Sequence, residues 1–142
     1  MKFLNFFKIS ILFIFLNSVF IPVQANEAPH VLLHVTTSSK IAHQVALSNA
    51  NALLKTYGKE NIIIEIVANG PGVAIANSKN SLRGKVASLL DEGVRLSVCN
   101  ASINMMKKQG KKISLVNGSV HVSNGISRVV ELQQKGYIYV RP

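Results

Sequence analysis

The chain holds a single cysteine, Cys99, between the apolar run Val94 to Val98 and the helix-forming run Ala101 to Lys108. A thiol at a strand-to-helix junction faces unpaired backbone amides and the positive end of a helix dipole, both of which favour the thiolate. A thiolate is a nucleophile that takes up a sulfur atom as a persulfide and is open to oxidation, chemistry that a buried neutral thiol resists. The residue pattern alone leaves both readings open, because a lone cysteine also serves as a small core hydrophobe. One thiol cannot form an internal disulfide, so stability must come from packing.

Other chemistries are less well supplied. The histidines are His30, His34, His43 and His121; no two have the spacing of a helical metal pair, and no metal or other cofactor is expected. His34, near a strand end, is a candidate to protonate or orient something bound beside Cys99. Gly70-Pro71-Gly72 starts a dinucleotide fingerprint, but Ile75 holds the third glycine's place and the loop follows a second strand. It reads as a turn whose glycines let backbone approach a ligand and shape a pocket wall. Asp91 and Glu92 are adjacent at a helix end and diverge, which excludes an acid and base pair. There is no serine nucleophile elbow. Asn100-Ala101-Ser102 and Asn117-Gly118-Ser119 match the glycosylation sequon, which matters only in a eukaryotic secretory route.

Placing Cys99 at a junction requires alternating strands and helices. His30 to Thr36, with Val31, Leu32, Leu33 and Val35, reads as a strand buried on both faces. Ser38 or Ser39 caps a helix with apolar Ile41, Val45, Ala46, Ala50, Leu53, Leu54 and Tyr57, stopped by Gly58. Asn61 to Ala68 is a second strand, followed by the loop Asn69 to Gly72 and a helical stretch from Val73. Ser81 caps a helix carrying Leu82, Val86, Leu89 and Leu90, which Gly93 ends. Val94 to Val98 is the third strand, and the helix Ala101 to Lys108 ends near Gly110. Ser123 or Asn124 caps a last helix with Ile126, Val129, Val130 and Leu132, and Tyr137 to Val140 closes as a strand. Either Ile113 to Val116 or Val120 to Val122 supplies the fourth strand, with Asn117-Gly118 a turn between them. Such alternation implies an α/β three-layer sandwich, a mainly parallel sheet of about five strands flanked by helices. In that architecture ligands gather at the carboxyl ends of the strands, which nominates His34 to Ser38, Asn69 to Gly72, Cys99-Asn100 and Ser123-Asn124.

Met1 to Ala25 reads as a cleavable signal peptide: Lys2 and Lys8 precede the apolar run Ile9 to Leu16, and Val23-Gln24-Ala25 offers small residues for cleavage. The apolar run falls short of the roughly 20 residues of a bilayer span, so no stable membrane anchor is expected after cleavage. The working chain would then be residues 26 to 142, one domain, periplasmic or secreted. Of sixteen Lys and Arg, Lys2 and Lys8 leave with the signal, so fourteen remain against six acids, a net charge of +8. That balance marks a solvated lysine-rich surface or one that attracts anionic partners. The one dense cluster, Lys107, Lys108, Lys111 and Lys112, lacks interleaved aromatics, and nucleic acid is not an expected partner.

The chain resembles the DsrE/DsrF-like family of small α/β sulfur-relay and related proteins. The resemblance rests on the strand His30-Val31-Leu32-Leu33-His34-Val35, the loop Val67-Ala68-Asn69-Gly70-Pro71-Gly72, the segment Gly93 to Asn100, and the ending Glu131 to Pro142. It implies a parallel sheet flanked by helices, homo- or hetero-oligomers, and a cysteine at the end of the third strand that carries persulfide sulfur, the place of Cys99. Family members often carry a Thr-Met pair shortly after the cysteine; this chain has Ser102-Ile103, which keeps a hydroxyl. The resulting expectation is an exported sulfur carrier, more a carrier than a turnover enzyme. Its ligand-binding set is His34, Asn69, Gly70, Gly72, Asn100 and Ser102, and its partners are copies of itself and a sulfur-donor or redox protein. The alternative is a non-catalytic oligomeric module binding a small ligand or anionic partner, with Cys99 structural.

Overall fold

The structure, a computed structural model, describes residues 28 to 142. The export segment read at Met1 to Ala25 lies outside the described residues. Five strands, β1 (His30–Val35), β2 (Ile63–Ala68), β3 (Arg95–Cys99), β4 (Val120–Val122) and β5 (Ile138–Val140), form one sheet in the order β4-β3-β2-β1-β5. Every pairing is parallel. Four α-helices connect them: α1 (Lys40–Tyr57), α2 (Arg83–Asp91), α3 (Asn100–Lys108) and α4 (Gly125–Gln134), with a 3-10 helix at Gly70–Ala76 before α2.

The order of the strands decides which face each helix covers. From β1 to β4 the chain steps in one direction, so right-handed crossovers put α1, α2 and α3 on one face. The step from β4 back past β1 to β5 puts α4 on the other. The two cores follow this division. Val31, Leu33, Ile64, Ile66, Leu96 and Val98 pack with Ala46, Leu47, Val73, Ile75, Val86 and Leu89 on the first face. Leu32 and Val67 pack with Val129 and Leu132 on the second. Leu32, Leu33, Ile66 and Leu96 are all at most 2% exposed. At about 1.5–3 kcal/mol for each fully buried large aliphatic side chain, burial on both faces is what selects these apolar runs as central strands.

Several local expectations needed correction. The buried stripe of α1 is His43, Ala46, Leu47, Ala50 and Leu54, while Ile41, Val45 and Tyr57 face solvent. The imidazole of His43 donates through Nε2–H to the Thr37 carbonyl at 2.8 Å, so a residue of polar type is satisfied inside the core. Ser39 does cap α1, accepting from the Ala42 amide. Ser81 does not cap α2: Asn80 Oδ1 takes the Leu82 amide at 3.0 Å, and the helix starts at Arg83. The fourth strand is Val120–Val122; the other candidate pairs with the end of the 3-10 helix, through Val116 N–H to Ala76 O and Ser78 N–H to Ser114 O.

On α4, Ile126 and Val130 are more than half exposed although Val129 and Leu132 are buried. Arg128 sets this rotation. Its Nε and Nη2 donate to Oε1 and Oε2 of Glu65 at 2.8 and 2.7 Å. Glu65 is 1% exposed in the centre of β2 and also accepts from the Ser97 hydroxyl at 2.5 Å. A buried carboxylate is tolerable only when paired and hydrogen-bonded, and this one holds α4 to the sheet.

Candidate functional site

Adjacent strands whose outgoing connections leave on opposite faces open a crevice between their carboxyl ends. Here those strands are β3, followed by α3 on one face, and β4, followed by α4 on the other. Cys99 ends β3 at that crevice and stands at the N-cap position of α3. The Ala101 amide donates to Ser123 O at 3.3 Å, tying the start of α3 to the end of β4. Asn124 then caps α4, its Oδ1 accepting from the amides of Ile126 and Ser127. Two helix N-termini therefore converge on one thiol.

Cys99 is 3% exposed. Burial pushes its thiol up, but the Ser102 hydroxyl and the backbone amides of Ser102, Gly125 and Ala101 push it down, and the outcome lies below the ordinary thiol value. Cys99 closes no side-chain capping bond on α3, so these amides act on Sγ chiefly as oriented dipoles. Gly70 N–H donates to Ser102 Oγ at 2.7 Å, which leaves the serine proton free to point at sulfur.

Two glycines make this closeness possible. A Cβ on Gly125 would lie 2.6 Å from Asn69 Cβ and 3.1 Å from Cys99 Cβ, so only glycine lets the first turn of α4 reach the thiol. A Cβ on Gly72 would lie 2.0 Å from the Val35 carbonyl oxygen, so the loop after β2 can pack on the end of β1 only with glycine there. That loop is further held by Asn69 N–H to Val35 O and Gly72 N–H to Asn69 O.

His34 does not reach Cys99 directly. It is 6% exposed, and Nε2 lies 3.2 Å from Asn69 Oδ1 while Nδ1 lies 2.9 Å from the Tyr139 hydroxyl. An acceptor on one side and a hydroxyl on the other suit the neutral ring, with Nε2–H donating to Asn69 and Nδ1 accepting from Tyr139. Burial pushes His34 down; the Asn69 bond opposes this and the Arg141 charge reinforces it, leaving the imidazole below its ordinary value. His34 thus positions Asn69, which packs on Gly125 beside the thiol. Asn100 is turned away: its Oδ1 meets His121 Nδ1 at 2.6 Å.

Of the residues expected at the site, Asn69, Gly70 and Ser102 gather around Cys99, Gly72 shapes the loop, His34 acts through Asn69, and Asn100 engages His121. Sequence reading missed Gly125 and Tyr139. The adjacency of Asn124, a good cap, to a glycine was the only available signal for Gly125, since its neighbours come from two other strand ends. Among the described residues, no three of His, Cys, Asp and Glu gather as metal ligands, and no helix is long and apolar enough to cross a membrane. A cleft of about 470 Å³ opens between the 3-10 helix and α3, with Gly70 and Ser102 in its wall. Ser102 stands between this cleft and the sulfur.

The solved structure of a protein of unknown function from Methanobacterium thermoautotrophicum is similar to this chain at 28% identity and a TM-score of 0.70. The alignment covers 80% of this chain and 99% of that one. No curated protein matches. Residues 9–142, which take in every strand of the sheet and the whole surroundings of Cys99, match the model of the DsrE/DsrF-like family, and the chain belongs to that family.

Proposed function

We propose that this protein is an exported sulfur carrier that holds sulfane sulfur as a persulfide on Cys99. Membership of the DsrE/DsrF-like family points to a sulfur-relay-related role. The observation that carries the finer reading is the place of Cys99 at the start of α3 with the first turn of α4 packed against it at Gly125, a setting whose donors hold the thiol below its ordinary value. A thiolate stabilised in this way attacks the outer sulfur of a persulfide or polysulfide donor. The new Cys99 S–S bond forms as the donor's S–S bond breaks, and the bonding pair leaves on the donor thiolate. No oxidant or reductant is consumed. With no second cysteine in the chain, the sulfur can leave only to another molecule, which makes the protein a carrier.

Trapping with iodoacetamide across a pH series, read by intact mass, tests the thiol. The labelling midpoint is expected below the roughly 8.5 of a free cysteine, with gain of one sulfur after polysulfide treatment and none in Cys99→Ser. A midpoint at or above the free value, together with no mass gain, would overturn the proposal. The low exposure of Cys99 favours a second reading, a binding module in which the thiol only packs. Full biological activity in a folded Cys99→Ser protein would support that reading and sink the first. The carrier is further taken to act as a homo-oligomer, an assignment supported by Ile126 and Val130 lying exposed one turn apart on α4; sedimentation as a monomer would remove it.

A further inference from the structure

We infer that the cleft between the 3-10 helix and α3 is the docking site for a small, carboxylate-bearing thiol persulfide, of the size of a short peptide, that delivers sulfur to Cys99. This rests on the reading of Cys99 as a sulfur carrier and adds the class of donor. The cleft runs from Gly70 and Ser102, past Met105 and Met106, to Lys111 and Lys112. Its volume of about 470 Å³ falls within the range of small-molecule sites.

The two ends of the cleft differ in chemistry. At the inner end, Ser102 faces the cleft while its hydroxyl also serves the Cys99 sulfur. At the outer end stand two ammonium groups, and no acidic side chain lines the cleft to neutralise them. The loop that carries the lysines is fixed to α3, with Gly110 N–H donating to Lys107 O and Lys111 N–H to Met106 O at 3.0 Å each. Lys111 and Lys112 are thus presented at the rim by a defined turn. Between the ends, the methionine side chains offer polarizable, adaptable apolar surface suited to the carbon and sulfur atoms of a thiol ligand.

The volume sets the size of the donor, about that of a short peptide. Such a donor, with its carboxylate on the lysines, brings its sulfur to the Ser102 wall, behind which Cys99 lies at the start of α3. Transfer then balances without a further reagent. The Cys99 thiolate attacks the outer sulfur of R–S–SH, the Cys99–S–SH bond forms, the donor S–S bond breaks, and R–S⁻ leaves with the electron pair.

Calorimetry on the full chain with S-methylglutathione, an unreactive analogue, reads the site apart from the chemistry. Wild type is expected to bind it about tenfold more tightly than its dimethyl ester. The double variant Lys111→Gln/Lys112→Gln is expected to lose about tenfold for the acid, with an unchanged melting temperature because both side chains are exposed. No binding by wild type, equal binding of acid and ester, or undiminished binding by the double variant would each overturn the inference. Mass spectrometry after glutathione persulfide and after inorganic polysulfide separates the two levels. Sulfur on Cys99 without S-methylglutathione binding leaves the carrier standing and removes this donor; no sulfur from either reagent removes the carrier, and the donor site with it.

Discussion

At Cys99 two opposing effects meet, desolvation that favours the thiol and a set of donors that favours the thiolate, and the donors prevail. Their arrangement depends on residues one step removed, of which His34 is the one whose charge changes near neutral pH. The ring on β1 faces Asn69 from the β2 loop and Tyr139 from β5, with the Arg141 guanidinium nearby and Thr36 beside that arginine. A protonated ring would present Nδ1–H to a hydroxyl that now donates. Its folded pKa lies below the ordinary 6.5, so at pH values just under 6.5 the unfolded chain binds more protons than the folded one. The stability contributed by neutral His34 is therefore complete above about pH 6.5 and is lost as the pH falls through the folded value. In His34→Gln, which keeps a donor and an acceptor but does not titrate, the loss of melting temperature between pH 7.5 and 5.5 should be smaller than in wild type by a few degrees. Equal losses would show that His34 does not couple protonation to folding. Cys99 and the Asn69 to Gly72 loop were legible in the chain because each follows a strand run directly. Gly125 and Tyr139 were not, because their importance comes from atoms more than twenty residues away in sequence.

At the scale of elements, periodicity identified the four α-helices, but not how each is turned about its axis, and the segment Gly70 to Gly72, which reads as a turn, is the start of the 3-10 helix. Ile41 and Val45 on α1, and Ile126 and Val130 on α4, carry the apolar signal yet face outward, because a satisfied His43 and a paired Arg128 take the inward places. Glu65 within the apolar run of β2 was the visible warning: a carboxylate in a doubly covered strand must have a cation, though its distance of 63 residues from Arg128 hides the partner. The energetic consequence is specific. Arg128→Met leaves Glu65 with the Ser97 hydroxyl and only Arg95, 3.6 Å away, as a cation. It should cost about 3 kcal/mol, the lower end of what breaking a buried pair costs. Adding Glu65→Gln removes the stranded charge while keeping an acceptor for Ser97, and should recover more than half of the loss. Urea denaturation of the two single variants and the double variant gives the coupling; strict additivity would mean that α4 is held by packing alone.

For the molecule as a whole, strand order explains why one cysteine can be served by two helices: only at the β3 and β4 ends do successive connections depart to opposite faces. Alternation of strands and helices predicted the parallel sandwich, but the strand order behind this feature required the sheet itself, as did the assignment of the short β4, since three residues carry too little pattern to outweigh Ile113 to Val116. The charge of the chain acts at the same scale. Sixteen Lys and Arg against six Asp and Glu create a positive field, and Lys111 and Lys112 bring part of it to the cleft whose wall includes Ser102. Low-dielectric walls focus such a field on incoming anions, and salt weakens it once the Debye length shrinks from about 30 Å at 0.01 M to about 3 Å at 1 M. Iodoacetate and iodoacetamide differ mainly in charge and attack the same sulfur. Their ratio of rates at Cys99 should accordingly be several-fold higher at 10 mM than at 1 M salt, roughly as screening of a few nearby charges requires. The iodoacetamide rate alone should change little, because a neutral reagent feels no steering. A ratio independent of salt would mean that the positive surface does not reach the thiol, and that anionic sulfur donors gain nothing from it.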